Sequence, residues 1–209
     1  MGSVRSVIAA LLILAAIYFA TQTDIYIDPR ETETLEGVRN LSQRDDLNLL
    51  FILIDTLRAD HLGSYGYSRQ TSPGMDYLAE TGIRFARHRA QSSWTKTSMA
   101  SLWTGLYPSK TGIRRYDHAL PETAEMPAEI LQDAGFVTAG LWRNGWVAPN
   151  FGFQQGFDLY HNPFVQQAPE SLRRKARAGR IDGTDIDVVY SAIEFMRSHA
   201  DQRWFLYAH

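Results

Sequence analysis

From Leu47 to Ile54 the chain reads "LNLLFILI", apolar except for Asn48, and the run breaks at Asp55 and Thr56. A short continuous apolar run is the pattern of a β-strand buried on both faces, and no other stretch constrains the fold as much. Beyond it the chain alternates between helical and strand-like segments. Helices are predicted in "SPGMDYLAETG" (72–82), over 93–104, and in "PETAEMPAEILQDAG" (121–135), the last running through Pro127 and closed by Gly135. A fourth is predicted in "TDIDVVYSAIEFMRSHA" (184–200), with Thr184 and Asp187 as a capping pair and Ile186, Val189, Tyr190, Ile193 and Met196 along one side. Strands are predicted in "IRFARHRA" (83–90), "FVTAGLW" (136–142) and "WFLYA" (204–208), and residues 143–163 read as a polar-aromatic loop. Strands alternating with helices indicate an α/β fold built on a parallel sheet.

The chain begins differently. After Arg5 there is no charge from Ser6 to Thr23, and Val7 to Ala20 is purely apolar. As a helix this uncharged segment would span about 27 Å, close to a bilayer core of about 30 Å. Residues 1–23 are read as one hydrophobic helix, a signal anchor. The alternative is a cleaved signal peptide, but the small-x-small cleavage pattern is poor, with Tyr18 two before Ala20 and Leu14 two before Ala16. The expected location is membrane-anchored with an exported (periplasmic or extracellular) domain, or secreted if the signal is cleaved. Residues 24–46 read as a linker and 47–209 as the folded domain. With 44% hydrophobic residues among 209 there is enough apolar material for a core, and a net charge of −2 gives no nucleic-acid signature. The absence of cysteine excludes disulfides, thiolate metal sites and cysteine nucleophiles. The basic run "LRRKARAGR" (172–180) reads as a solvated loop that beside a membrane could attract anionic head groups.

One stretch carries an unusual density of hydroxyls, "SSWTKTSMASLWTGLYPSKTG" (92–112). Met99, Leu102 and Trp103 fall at helical spacing, Ser93 or Thr95 can cap the start, and Gly105 can end the helix. Two readings stay open: a capped core helix, or a hydroxyl at a helix N-terminus facing an anion, where free N–H groups and the helix dipole favour phosphate or sulfate. Lys110 imitates the end of a phosphate-binding loop, but Gly105 lies five before it and Ser109 replaces the glycine. In parallel sheets chemistry gathers beyond the carboxyl ends of the strands, where Asp55 and His209 fall.

Three stretches in order, "NLLFILIDTLRADHLGSYGY" (48–67), the hydroxyl-rich stretch, and "GFVTAGLWRNGWVAPNFGFQQGFDLY" (135–160), together resemble the N-terminal half of the sulfatase family, within the alkaline-phosphatase superfamily. The likeness runs from about Leu47 to His209. The resemblance implies a mainly parallel sheet sandwiched by helices. It also implies a nucleophile at a helix N-terminus that attacks an anionic ester, and a divalent metal held by acidic residues at strand ends. Asp55 matches the first metal-binding aspartate, and Thr56 stands where sulfatases commonly carry a second. Aligned on "ASL" (100–102), Thr95 takes the first position of the C/S-x-P-x-R motif, which becomes formylglycine in the family; Thr97 replaces its proline and Met99 its arginine. Asn144 falls near where sulfatases place a lysine–histidine pair, His209 resembles the histidine that follows this strand in relatives, and both are candidate substrate contacts.

Threonine is not a substrate for formylglycine formation in the family. Superfamily members with an unmodified threonine are mainly phosphodiesterases and phospho-group transferases that act on lipids or polymers through a phosphothreonine. The expectation is therefore a metal-dependent phosphoester hydrolase or phospho-group transferase. Its cofactor would be a divalent cation (Mn, Ca, Mg or Zn), and its substrate an anionic ester, with lipids and glycans as candidates. Two alternatives stand beside it: a sulfuric-ester hydrolase, and a non-catalytic sulfatase-like domain that binds an anionic glycan or lipid. After the strand matching "WFLYAH" the family carries a further acidic, D-H-G-E-like block that has no counterpart here. The chain is thus expected to be an N-terminal piece of a longer protein, and turnover by these 209 residues alone is not expected.

Overall fold

The structure, a computed structural model, describes residues 40–41, 43–163 and 185–209. The expected anchor, the basic run at 172–180 and Thr184 lie outside the described residues. Among the described residues no helix is long and apolar enough to cross a membrane. The chain divides into two units, 1–43 and 44–209, and the second carries the fold.

Among the described residues four strands form one sheet: β1 (Leu49–Ile52), β2 (Val137–Leu141), β3 (Leu159–His161) and β4 (Trp204–Ala208). Their order is β1-β4-β2-β3 and every pairing is parallel. The central strand, β4, is buried throughout because both faces are covered. The helices are α1 (Pro73–Thr81), α2 (Thr95–Thr104), the single turn α3 (Pro108–Thr111), α4 (Pro127–Asp133) and α5 (Asp185–Ser198). On one face Met99, Ala100 and Trp103 of α2 pack with Met126, Val147 and Phe153 over Phe205 and Tyr207. Trp103 meets Tyr207 edge-on, with ring centroids 4.8 Å apart. On the other face Val188, Ala192 and Phe195 of α5 cover Leu141, Trp204, Leu206 and Ala208. The sheet is thus a helix-covered parallel layer, as both the alternation and the resemblance imply.

Several expectations need correction. β1 is not buried on both faces: Leu50 is 46% and Ile52 59% exposed. It is an edge strand of the described sheet, and on the α5 side it borders a cavity of about 690 Å³ rather than packed side chains. Residues 83–90 form no strand, and Ile83 and Phe85 are each 66% exposed. Apolar alternation makes a strand only where a sheet edge accepts it. Pro127 does not interrupt α4 but begins it, where the missing N–H costs nothing. The loop 143–163 hides β3, too short to show a period. On α5 the sheet takes the stripe Val188, Ala192 and Phe195, with Ala192 small enough for close approach, and leaves Ile186, Val189 and Tyr190 exposed. Ile193 and Met196, from the expected stripe, line the cavity.

Candidate active site

Each parallel strand delivers its following residues to the same end of the sheet. Asp55 stands three past β1, Asn144 three past β2, and His209 directly after β4. Backbone bonds fix this end: the Leu53 N–H donates to Ala208 O (2.8 Å) and the His209 N–H to Leu141 O (2.9 Å). Helix α2 brings the fourth group. Its N-cap is Trp94, with no side-chain cap, and the Trp94 N–H donates back to Ser92 Oγ at 3.1 Å. Neither Ser93 nor Thr95 caps the helix, contrary to expectation. Thr95 is the first helical residue, and its hydroxyl is free to face the strand ends. The first-turn N–H groups are left without a side-chain acceptor, the arrangement that receives anions. At the far end Gly105 closes α2 in the left-handed region (φ 67°), as expected.

The four groups meet. The Thr95 hydroxyl donates to Asp55 Oδ2 at 3.2 Å. Asn144 Nδ2 donates to the same oxygen at 2.5 Å and lies 3.4 Å from Thr95 Oγ1. The Trp146 N–H donates to Asn144 Oδ1 at 2.9 Å, which fixes the carbonyl end away from Asp55. His209 Nε2 lies 3.6 Å from Asp55 Oδ2; the His209 side chain is 3% exposed and that of Asp55 31%. Nδ1 of the same ring is 2.7 Å from the Tyr207 hydroxyl. Burial holds Tyr207 well above the ordinary phenol value, so its hydroxyl stays protonated and can donate to Nδ1 or accept from an Nδ1–H. When Tyr207 donates, a neutral His209 carries its proton on Nε2, toward Asp55; when Tyr207 accepts, Nε2 is bare and able to ligate a cation. Burial lowers the His209 pKa, against the opposing pull of Asp55.

The arrangement can hold a threonine oxygen beside a carboxylate acceptor at an uncapped helix start, with an amide N–H on the same carboxylate oxygen. A free hydroxyl is a weak nucleophile and needs such activation. The divalent metal that the resemblance implies finds two donors here, the Asp55 carboxylate and His209 Nε2, a buried nitrogen without a hydrogen-bond partner. Among the described residues no group of three His, Cys, Asp or Glu gathers. The described residues therefore do not complete a metal site, and no step is derived through one. One contributor was missed in the sequence: Tyr207, hidden inside an apolar strand.

The family model described as Sulfatase matches residues 47–209. Arylsulfatase A of Bos taurus is 32% identical over 140 residues, covering 59% of this chain and 27% of that protein. An N-acetylgalactosamine-6-O-sulfatase of Bacteroides thetaiotaomicron is 31% identical over 131 residues, covering 53% of this chain and 26% of that protein. The matched segment thus spans about a quarter of these relatives. In fold, the phosphonate monoester hydrolase of Agrobacterium radiobacter superposes with a TM-score of 0.60 at 21% identity, over 77% of this chain and 40% of that one.

Proposed function

Since the chain belongs to the sulfatase family, whose enzymes use a divalent metal, we propose that it serves hydrolysis of an anionic ester with Thr95 at the point of attack. The observation that carries this is the Thr95 hydroxyl, placed by the uncapped start of α2 at 3.2 Å from Asp55. Asp55 receives the hydroxyl proton's hydrogen bond and leaves the oxygen electron-rich. Asn144 and the first-turn N–H groups of α2 offer donors to the ester's charged oxygens. His209 Nε2 lies 3.6 Å from the same Asp55 oxygen.

The relatives favour a sulfuric ester over the phosphoester expected from the sequence. Both proteins described above at more than 30% identity are sulfatases, one named for an amino sugar, which supports a sulfated glycan or aryl ester as substrate. The second reading, phosphoester transfer, rests on Thr95 alone: it is an unmodified hydroxyl where the motif expects the formylglycine precursor.

A form of the protein extended beyond residue 209, incubated in parallel with an aryl sulfate and an aryl phosphodiester, tests both. Thr95→Ala is expected to reduce turnover at least 100-fold, roughly the loss of a nucleophile's contribution, and Thr95→Ser to retain part of it. High-resolution mass spectrometry of the Thr95 peptide identifies the group carried. Wild-type turnover in Thr95→Ala would remove Thr95 from the chemistry. A phosphorylated but never sulfated Thr95 would decide for the second reading.

A further inference from the structure

Lys96, the second residue of α2, is 0% exposed, and none of the chemistry above uses it. Its Nζ donates to the main-chain carbonyls of Tyr116 (2.5 Å) and His118 (2.6 Å). It also lies over the rings of Phe151, Trp94 and Trp146, at 3.7, 5.3 and 5.4 Å from their centroids. Two carbonyls and ring faces use the ammonium's three donors, and aromatic ring faces attract a desolvated cation. Burial still pushes this ammonium below lysine's ordinary value, with the Asp117 charge opposing. A buried charge is costly, and an apolar side chain would fill the same space more cheaply. The retained cation therefore has to be explained by where the cage walls come from.

Those walls belong to the segments that carry the site. Trp94 is the N-cap of α2 and directly precedes Thr95. The Trp146 N–H holds Asn144 Oδ1 at 2.9 Å. The two indoles meet edge to face with centroids 5.1 Å apart, and Trp146 and Phe151 lie 5.9 Å apart. The carbonyls of Tyr116 and His118 anchor the cation to a third segment, after α3. Removing the charge would free the α2 start and the Asn144 turn to shift against each other.

We propose that Lys96 is a positioning residue: its caged ammonium locks the start of α2 to the turn after β2, so that the Asn144 amide meets both Asp55 and Thr95. This rests on the reading that Thr95 and Asn144 face the substrate.

Lys96→Met keeps most of the side chain's bulk and removes the cation. The readout is the side-chain amide NMR signal of Asn144 in the full chain, which reports its bonds to Asp55 and Thr95 without requiring turnover. Lys96→Met is expected to move that signal toward the position of a solvent-exposed asparagine. Thr97→Val is the control. It removes the Thr97 Oγ1 bond to Ile113 O (2.8 Å) on the same helical turn without touching the cage. It is expected to lower stability and leave the Asn144 signal in place. In an active, extended form Lys96→Met should lower kcat tenfold or more with KM within about twofold, the pattern of misplaced reacting groups.

An unmoved Asn144 signal in Lys96→Met, or an equal movement in Thr97→Val, overturns the proposal. Should Lys96→Met not fold, Lys96→Arg carries the test. A planar guanidinium cannot reproduce the ammonium's geometry between two carbonyls and three rings, so the signal should move part of the way, and an unmoved one overturns the proposal. Absence of wild-type turnover on every ester would count against the proposed function and leave this inference standing on its NMR result.

Discussion

Among the described residues, Thr56 is the non-glycine residue with a positive φ. Its φ is 57°, in the left-handed region that β-branched side chains avoid, and it directly follows Asp55. Its hydroxyl donates to the Asp55 carbonyl at 2.7 Å, a local bond that holds the turn. The turn aims the Asp55 carboxylate at Thr95 and Asn144, so the strain sits where it shapes the site. Left-handed geometry costs an L-residue roughly 1–2 kcal/mol, which glycine avoids at the expense of greater freedom when unfolded. Thr56→Gly is therefore expected to raise stability by up to about 1 kcal/mol in urea titration, with the Asp55 contacts preserved. A loss of stability would show that the hydroxyl bond outweighs the backbone strain. Residues of this kind explain what the sequence could and could not tell. Asp55, Thr95, Asn144 and His209 were legible because motif spacing and strand ends fixed their places. Lys96 and Tyr207 were not, because neither the burial of a charge nor the partner of a ring nitrogen leaves a periodic trace.

At the level of elements, Asp158 joins three of them. Its Oδ2 accepts from the Thr138 N–H of β2 at 2.8 Å, its Oδ1 accepts from Gln132 Nε2 of α4 at 2.6 Å, and it stands one residue before β3. Burial raises the Asp158 pKa, but the bonds from Thr138 and Gln132 together hold it below the ordinary carboxylate value. A carboxylate depressed in the folded state stabilises the fold above its unfolded pKa and loses that contribution as pH falls through the folded value. Asp158→Asn should thus cost roughly 0.5–1 kcal/mol at neutral pH, toward the low end because the residue is solvent-exposed. The gap from wild type should close below the ordinary aspartate value of 3.8, seen as converging melting temperatures in a pH series. A gap constant across that window would mean the charge is irrelevant to the junction. The long apolar or strongly periodic elements, β1, β2, β4, α2 and α5, were legible in outline. β3 was not, because three residues paired by their neighbour carry no pattern. The segment 83–90 carried a pattern with no sheet edge to receive it. The stripe of α5 that packs was misjudged because the helix is apolar on two sides, and only the sheet decides which one it takes.

For the whole molecule, the question is whether these residues suffice for the chemistry their family performs. The matched region spans about a quarter of its relatives, and the edge strand β1 shows Leu49, Leu50 and Ile52 at 40–59% exposure. The metal makes the question measurable. Oxygen-rich cation sites draw on several ligands, about six to eight for calcium. The described residues bring Asp55, one of whose oxygens already accepts from Thr95 and Asn144, and the unpartnered nitrogen of His209. Among them no third acidic or imidazole group comes near enough to form a ligand cluster. The 209-residue chain is therefore expected to bind manganese, calcium and zinc weakly, at about millimolar dissociation constants, and Asp55→Asn to weaken even that. Calorimetric titration with each ion, repeated on an extended form, decides it. If the extended form binds tightly and the shorter chain does not, the ligands that complete the site come from residues outside this chain. Tight, one-to-one binding by the 209 residues would instead show that the ligand set is complete within them, and that Asp55 and His209 are joined by groups outside the described residues.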